Sequence, residues 1–448
     1  MQRRDFLKAS LAVSALSLSP DFVFGKSAGG LRVGIIGTGM RGKVLLGELL
    51  KQEGVEIAAL CDVDGFALKG ATDILSAAGR PKARIFSDNN DAWREMLEKA
   101  RLDAVIIATP WEWHAPMAIA AMQARVAVGC EVVAGVTLED HWQVLRTQQR
   151  TGTPYMLLEN VCFRRDVLAT LNMVRQGVFG ELMHLEGGYE HDLREVKLNS
   201  GVPGKPYGGG VEFGDKGWSE ARWRTPHSVA RNGELYPSHG AGPCAMWANI
   251  NRGNRFLRLT SYASKSRGLH NHIVAGGGAD HPNARVKFRL GDVVTTQLAC
   301  ENGETVLLTH DTSLPRPYSL GFRVQGTRGL WMDVNQSIYI EGKSETPHKW
   351  EPAQPWLDRY DHPLWKKFGA AAAGGGHGGM DFFVVRAFVE ALKASAPMPI
   401  NIYDAVTWSA ITPLSEQSIG LGNRTVEFPD FTAGDWKTRK PIFALDAS

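Results

Sequence analysis

Leu31-Arg32-Val33-Gly34-Ile35-Ile36-Gly37-Thr38-Gly39-Met40-Arg41-Gly42 is the stretch whose reading decides the fold. Its first half is rich in branched apolar side chains and reads as a buried parallel strand. Its second half is a Gly-x-Gly-x-x-Gly turn. A helical pattern over 43–52 follows, then a second strand over 56–61 that ends at Asp62. Gly37, Gly39 and Gly42 in that frame allow a tight turn, a close approach of backbone to pyrophosphate, and close helix–strand packing. The helix start then attracts phosphates through free N–H groups and its dipole. A lone glycine motif is weak. This one lies between strand and helix, with an acidic residue 20 positions after its last glycine, and that combination is a strong dinucleotide signature. A carboxylate at Asp62 accepts from the adenosine ribose hydroxyls and repels a 2′-phosphate, which favours NAD; Arg41 is the one nearby group that suits NADP.

The strand–helix rhythm continues. Apolar strands over 103–108, 125–128 and 154–158 lead into polar or aromatic clusters: Thr109-Pro110-Trp111-Glu112-Trp113-His114, Gly129-Cys130-Glu131 and Glu159-Asn160. Ligands of open parallel sheets bind at such strand ends. Trp111, His114, Glu131 and Asn160 are candidate nicotinamide-side contacts, each with a loop-anchoring role as its alternative. After about residue 161 the pattern changes. A helix over 165–176 precedes extended stretches over 182–190, 256–263, 292–300, 305–312 and 321–326, separated by Gly- and Pro-rich loops such as 199–214. Helices over 380–393 and 403–420 close the chain and pack back on the assembly. The expected fold is α/β: a doubly wound parallel Rossmann sheet over 31–160, then an α+β domain over 161–448 with a mostly antiparallel open sheet. Polar clusters in or near the second domain's loops include Tyr189, Arg224, Tyr236, Ser238, His239 and Tyr318; histidine and tyrosine suit proton transfer at sugar hydroxyls.

Composition excludes other classes. The 448 residues carry a net charge of +3 and 22% charged residues, with no long basic run, so nothing points to nucleic acid. Residues 1–28 read as a twin-arginine signal peptide. Arg3-Arg4 precedes an apolar run over 11–18 that is too short for a stable membrane span. The expected compartment is periplasmic or otherwise exported, with the twin-arginine export machinery as a partner; a homo-oligomer stays open. The five cysteines lack metal-ligand spacing and read as small buried hydrophobes. No metal site is expected, and His270 and His272 read as loop residues.

Longer words narrow the reading. They include Trp111-Glu112-Trp113-His114, Leu158-Glu159-Asn160-Val161-Cys162, Gly210-Val211-Glu212-Phe213-Gly214, Asn232-Gly233-Glu234-Leu235-Tyr236-Pro237 and Gly376-His377-Gly378-Gly379-Met380-Asp381. On these residues the chain resembles the glucose–fructose oxidoreductase and inositol dehydrogenase group. More narrowly it resembles glycoside hydrolase family 109, the NAD-dependent α-N-acetylgalactosaminidases. The resemblance implies cofactor contacts at Met40, Arg41, Asp62, Trp111, Glu112, Trp113, His114, Glu131, Val132 and Asn160. It implies substrate contacts at Tyr189, Arg224, Tyr236, Pro237, Ser238, His239 and Tyr318. The wider oxidoreductase group often has Glu-Lys-Pro where this chain has Glu131-Val132-Val133; valine transfers no proton, so the proton work falls on tyrosine or histidine. His239 and Tyr189 are the main acid/base candidates, with Tyr318 assisting and Arg224 holding substrate. The implied reaction oxidises C3 of the sugar transiently, eliminates across C1–C2, adds water and re-reduces C3, with retention. Such NAD-dependent glycosidases lie outside the two-carboxylate scheme. A closed redox cycle suits an exported enzyme whose NAD is tightly bound and recycled. The rival expectation is an exported sugar oxidoreductase with trapped NAD(P).

Overall fold

A computed structural model of the chain describes residues 30–87 and 89–444. The leader assigned to 1–28 lies outside the described residues. Among the described residues, no helix is long and apolar enough to cross a membrane.

The first unit alternates strands and helices: β1 (Leu31–Ile36), α1 (Met40–Leu50), β2 (Val55–Cys61), α2 (Gly65–Ala77), β3 (Arg84–Phe86), α3 (Ala92–Lys99), β4 (Ala104–Ile107), α4 (Trp111–Gln123), β5 (Ala127–Cys130), α5 (Leu138–Thr151) and β6 (Tyr155–Leu157). The six strands form one parallel sheet in the order β3-β2-β1-β4-β5-β6, the doubly wound arrangement. Helices cover both faces, so the middle strands must be apolar throughout; all four residues of β4 have no exposed surface.

Several boundaries differ from the sequence expectation. Helix α1 starts at Met40 rather than 43, because the extended backbone of Gly39 serves as its N-cap. Strand β5 lies at Ala127–Cys130 rather than 125–128, since Arg125 takes a left-handed conformation in the turn before it. The Trp111–His114 cluster, read as the polar and aromatic end of the strand over 103–108, forms the first turn of α4. Elements α2, β3 and α3 are absent from the sequence reading. Strand β3 is three residues long, too short for alternation to show. Helix α2 does carry a start signal, Asp64, whose side chain accepts from Phe66 N and Ala67 N.

The second unit contains α6 (Arg165–Arg175), β7 (Leu182–Glu190), α7 (Arg194–Lys197), α8 (Glu220–Ala230), α9 (Ser238–Trp247), β8 (Phe256–Ala263), α10 (Gly268–Gly277), β9 (Val293–Cys300), β10 (Thr305–Asp311), β11 (Arg323–Gly326), β12 (Gly329–Met332), β13 (Ser337–Ile340), β14 (Glu351–Pro352), α11 (Gln354–Arg359), α12 (Pro363–Ala372), α13 (Met380–Lys393), α14 (Ile402–Gly420) and β15 (Val426–Glu427). Its nine-stranded sheet runs β14-β13-β12-β11-β7-β10-β9-β8-β15. Only β7 and β10 pair in parallel; the other neighbours are antiparallel. The fold is therefore a Rossmann-like parallel sheet followed by a mostly antiparallel mixed sheet.

The clusters around Arg224 and His239, expected in or near loops, lie on helices α8 and α9. His270 and His272 sit on helix α10, a correction to the loop reading. Leu269 and Ile273, four residues apart and buried, define the helix face that the two histidines flank. The terminal helices return to the first unit: Ala134 N donates to Ser409 Oγ of α14 at 2.9 Å. A Cβ at Gly129 of β5 would lie 3.3 Å from the Phe388 ring of α13, so these elements touch backbone to ring. All five cysteines are buried free thiols.

Candidate functional site

The three glycines of the turn do three different things. Gly37 has φ +87°, and a Cβ there would strike the Ala108 carbonyl at 2.5 Å. A Cβ at Gly42 would strike the Gly37 carbonyl oxygen at 1.9 Å, so this glycine seats α1 against the turn. A Cβ at Gly39 would meet nothing within 4 Å. The middle glycine therefore opens on the cleft, where only the missing side chain lets a phosphate reach the backbone. Helix α1 has no acidic residue in its first turn and no side-chain cap, which suits an anion at its N-terminus.

Asp62 ends β2. Its carboxylate accepts from Thr38 N (2.6 Å), Thr38 Oγ1 (3.1 Å) and Asp64 N (2.9 Å). Burial pushes its pKa up, against these hydrogen bonds. The cleft beside it has a volume of about 630 Å3 and is lined from the first unit by Gly39, Met40, Arg41, Asp62 and Trp113, and from the second by Trp218, Glu220 and Trp223. A cleft at the carboxyl edge of the sheet, with an open glycine and an acidic strand end, fits a dinucleotide.

At the β5 end, Arg41 is held by two carboxylates. Its Nε donates to Glu131 at 2.6 Å, and its terminal nitrogens pair with Asp381 at 2.8 Å. Asp381 has no exposed surface and also accepts from Asn160 Nδ2 (2.8 Å) and meets His377 Nδ1 at 2.7 Å. These partners hold its carboxyl far below the usual range. The Arg41 guanidinium is thus committed to the β5 side rather than to Asp62. His114 is buried, and its ring nitrogens face the carbonyls of Val133 (2.6 Å) and Thr109 (2.8 Å), the geometry of a loop anchor. Glu112 meets His227 of α8 at 3.4 Å. Val132 is buried.

The second cluster is built by close backbone approach. Gly187 on β7 and Gly240 on α9 face each other: a Cβ at Gly187 would lie 2.9 Å from the Gly240 carbonyl oxygen, and a Cβ at Gly240 would lie 2.5 Å from Gly188 N. That contact brings Tyr189 and His239 side by side, with ring centres 5.2 Å apart. Tyr236 packs against both at 4.8 Å, tilted on Tyr189 and edge-on to His239. His239 Nδ1 lies 2.7 and 2.9 Å from the two carboxylate oxygens of Glu159, which has no exposed surface. A carboxylate accepts only, so Nδ1 carries a proton, and in the neutral ring Nε2 is the nitrogen with the free lone pair. Arg224 lies over Trp111 (5.0 Å), Tyr236 (5.1 Å) and Trp223 (5.3 Å) and pairs with Glu220 at 2.7 Å. Burial raises the Tyr189 phenol well above its ordinary range. Tyr189 Oη meets His191 Nδ1 at 3.3 Å, and the His191 ring lies 4.9 Å from the half-exposed Tyr318. Burial, then the nearby Arg224 charge, lowers the His191 pKa. Pro237 caps α9, and the buried Ser238 hydroxyl has no hydrogen-bond partner among the described residues.

The structure brings Tyr189, Arg224, Tyr236, His239 and Trp111 together, with Tyr318 joined through His191. Two α8 residues serve both regions: Trp223 lines the cleft and packs on Trp111 at 5.1 Å, and Glu220 lines the cleft and pairs with Arg224. Glu159, His191, Glu220, Trp223, His377 and Asp381 were not among the expected site residues. Asp381 and His377 lie in a quoted word, and Glu159 stands beside Asn160, but spacing does not show which carboxylate meets which base.

Comparison with known proteins agrees with this architecture. Residues 31–158 match "Oxidoreductase family, NAD-binding Rossmann fold", and residues 163–438 match "Glycosyl hydrolase 109, C-terminal domain". A "Glycosyl hydrolase family 109 protein" of Stenotrophomonas maltophilia (strain K279a) is 66% identical over 100% of this chain and 99% of its own length. An "Alpha-N-acetylgalactosaminidase" of Tannerella forsythia is 49% identical over 94% of this chain and 90% of its own. Another of that name from Shewanella oneidensis is 39% identical over 100% and 99%. Among solved structures, a levoglucosan dehydrogenase in complex with NADH and levoglucosan shares the fold at TM-score 0.64 and 17% identity, covering 90% of this chain and 100% of that one. The chain belongs to glycoside hydrolase family 109 and is a glycoside hydrolase built on an NAD-binding Rossmann fold.

Proposed function

We propose that this chain is a retaining α-N-acetylgalactosaminidase that works outside the cytoplasm with a resident NAD. One observation carries the reading: His239, backed by the buried Glu159, stands against Tyr189 and Tyr236, with Arg224 over the Tyr236 ring, beside a cleft suited to a dinucleotide. The names of the relatives in Tannerella forsythia and Shewanella oneidensis support the sugar. When bound, NAD supplies a reversible oxidation at C3 of the sugar, which makes the C2 proton acidic and leaves no net oxidation. Gly37, Gly39 and the start of α1 would hold its pyrophosphate and Asp62 its adenosine ribose. Met40, Arg41, Trp111, Glu112, Trp113, Glu131, Val132 and Asn160 would shape the remainder of the pocket, with His114 anchoring its loops.

The chain's own groups handle the protons. His239 accepts and returns a proton at Nε2, and the Glu159 carboxylate stabilises the imidazolium formed. Tyr189 keeps its proton because burial disfavours the phenolate, so its hydroxyl donates to a sugar oxygen. Arg224, flattened over three aromatic rings, orients the sugar, and Tyr318 assists at the rim. Tyr236, Pro237 and Ser238 form the wall beside His239. Val132 contributes no proton. Cleavage of an aryl α-N-acetylgalactosaminide in D2O is expected to place deuterium at C2 with retained configuration. Undiminished cleavage by enzyme stripped of all nicotinamide overturns the reading. Export is tested separately: Arg3→Lys with Arg4→Lys is expected to leave the protein in the cytoplasm, and an unchanged exported fraction refutes that assignment.

A further inference from the structure

The segment 199–218 holds seven glycines and two prolines in twenty residues, a composition that favours a mobile loop. Here backbone pairs tie Asn199 to Glu212 and Ser200 to Gly208, and one side chain joins the two ends of the segment. Asn199 has no exposed surface. Its amide oxygen accepts from Gly201 N (2.9 Å) and Trp218 N (3.2 Å); its amide nitrogen donates to Pro206 O (3.2 Å) and Trp218 O (2.8 Å). All four hydrogen-bonding capacities of the amide are used. Two of them grip both backbone groups of Trp218, nineteen residues along the chain, so the start and end of the segment are locked together.

The locked loop reaches across to the first unit. The Trp218 ring meets Phe66 edge-on, with centres 5.5 Å apart and planes at 88°. Gly204 lies on the other part of the same ring: a Cβ there would sit 3.0 Å from Phe66 Cζ. Phe66 stands in the first turn of α2, four residues after Asp62, and both Phe66 and Trp218 line the cleft. The strap therefore crosses the cleft at its Asp62 end, and a dinucleotide seated there has to part Trp218 and Gly204 from Phe66 in order to leave.

We infer that Asn199 is a positioning residue that sets how long NAD stays bound, acting through the Trp218–Phe66 contact. This rests on the proposed resident cofactor. It locates retention in a strap from the second unit rather than in the glycine turn, which sets affinity for the phosphates.

The test uses the full chain loaded with NADH, whose fluorescence is followed during a chase with excess NAD. Phe66→Ala leaves the Asn199 hydrogen bonds and every candidate proton-transfer group in place. It is expected to raise the NADH off-rate by about tenfold, equal to about 1.4 kcal/mol and on the scale of one aromatic contact, with the on-rate and melting temperature little changed. Phe66→Tyr is expected to restore slow release. Asn199→Ala is expected to give the same off-rate as Phe66→Ala, and the double variant no further increase, because both act on one contact. A folded Asn199→Ala protein whose off-rate stays within twofold of wild type overturns the role of Asn199 whatever Phe66→Ala does; should Asn199→Ala fail to fold, Asn199→Asp, which keeps both acceptor bonds and loses both donor bonds, takes its place. A folded Phe66→Ala protein with an off-rate within twofold of wild type, about 0.4 kcal/mol, overturns the inference while leaving the cofactor reading intact. A wild-type chain that binds no nicotinamide at all overturns that reading and the inference with it.

Discussion

Replacing Glu159 with Gln removes one charge from the centre of the site and almost nothing else. The side chain keeps its volume, and its oxygen still accepts from Val161 N, now at 3.0 Å. What is lost is the counter-charge 2.7 Å from His239 Nδ1, in a position without solvent exposure. A hydrogen bond to a charged group contributes about 1.5–3 kcal/mol, and neutralising one partner of a buried pair costs about 3–5 kcal/mol. The ranges meet near 3 kcal/mol. At about 1.4 kcal/mol per decade, that is roughly a hundredfold fall in kcat. Steady-state release of an aryl alcohol measures it, with NADH retention and melting temperature as controls for the pocket and the fold. If the Gln variant turns over within about threefold of wild type, below the ~0.7 kcal/mol that would register as a lost charge, with NAD still bound, then Glu159 does not support His239 and the assigned base is wrong.

Other expectations follow from the same geometry. Gly39→Ala adds a methyl group to an open cleft at a backbone φ that alanine adopts freely, so stability should hold while NAD affinity falls by roughly tenfold, a clash of about 1–3 kcal/mol. Gly42→Ala should instead lower the melting temperature, because its Cβ meets a carbonyl oxygen at 1.9 Å. Arg224→Lys should raise KM for the glycoside by roughly tenfold and leave NAD binding unchanged, since an ammonium neither stacks on three rings nor presents a planar fork. Glu234 is buried with Oε2 unpartnered, and burial pushes its pKa from 4.5 to about 8. Between those values the folded chain binds the extra proton, so wild-type stability should fall as pH rises through that window. Glu234→Gln, measured by urea unfolding at several pH values, should flatten that slope; an unchanged slope refutes the assignment.

The legible part of this chain was the part with a strong local code. Central strands such as β4 have no exposed residue and must be apolar throughout. The turn at 37–42 places three glycines where three different steric demands fall. The helix over 380–393 matched because its apolar face repeats at helical spacing over fourteen residues. Illegible stretches had weak or conflicting codes. Helices α8 and α9 contain Pro226 and Pro243, which argue locally against a helix. Pairings such as Arg41–Asp381, 340 positions apart, rest on tertiary approach alone. His239 and Tyr189 were each readable as proton-transfer candidates, but the glycine-to-glycine contact that makes them neighbours was not.

That contact bears on why the two halves of the site are built as one piece. A cycle that oxidises a sugar carbon and later reduces the same carbon must return it to the same place, so sugar and cofactor pockets need a fixed mutual distance. On the proposed reading helix α8 meets this requirement: Trp223 and Glu220 line the cleft assigned to NAD and, through Trp111 and Arg224, reach the cluster assigned to the sugar. On the other side, Asp381 of α13 grips Arg41 beside the glycine turn and Asn160 beside Glu159. Asp381→Asn would therefore loosen the turn and the base-supporting strand end together. Its signature should be a joint loss of NAD affinity and kcat, where Glu159→Gln loses kcat alone. Two variants with the same split would mean that the pockets are not mechanically joined through α13.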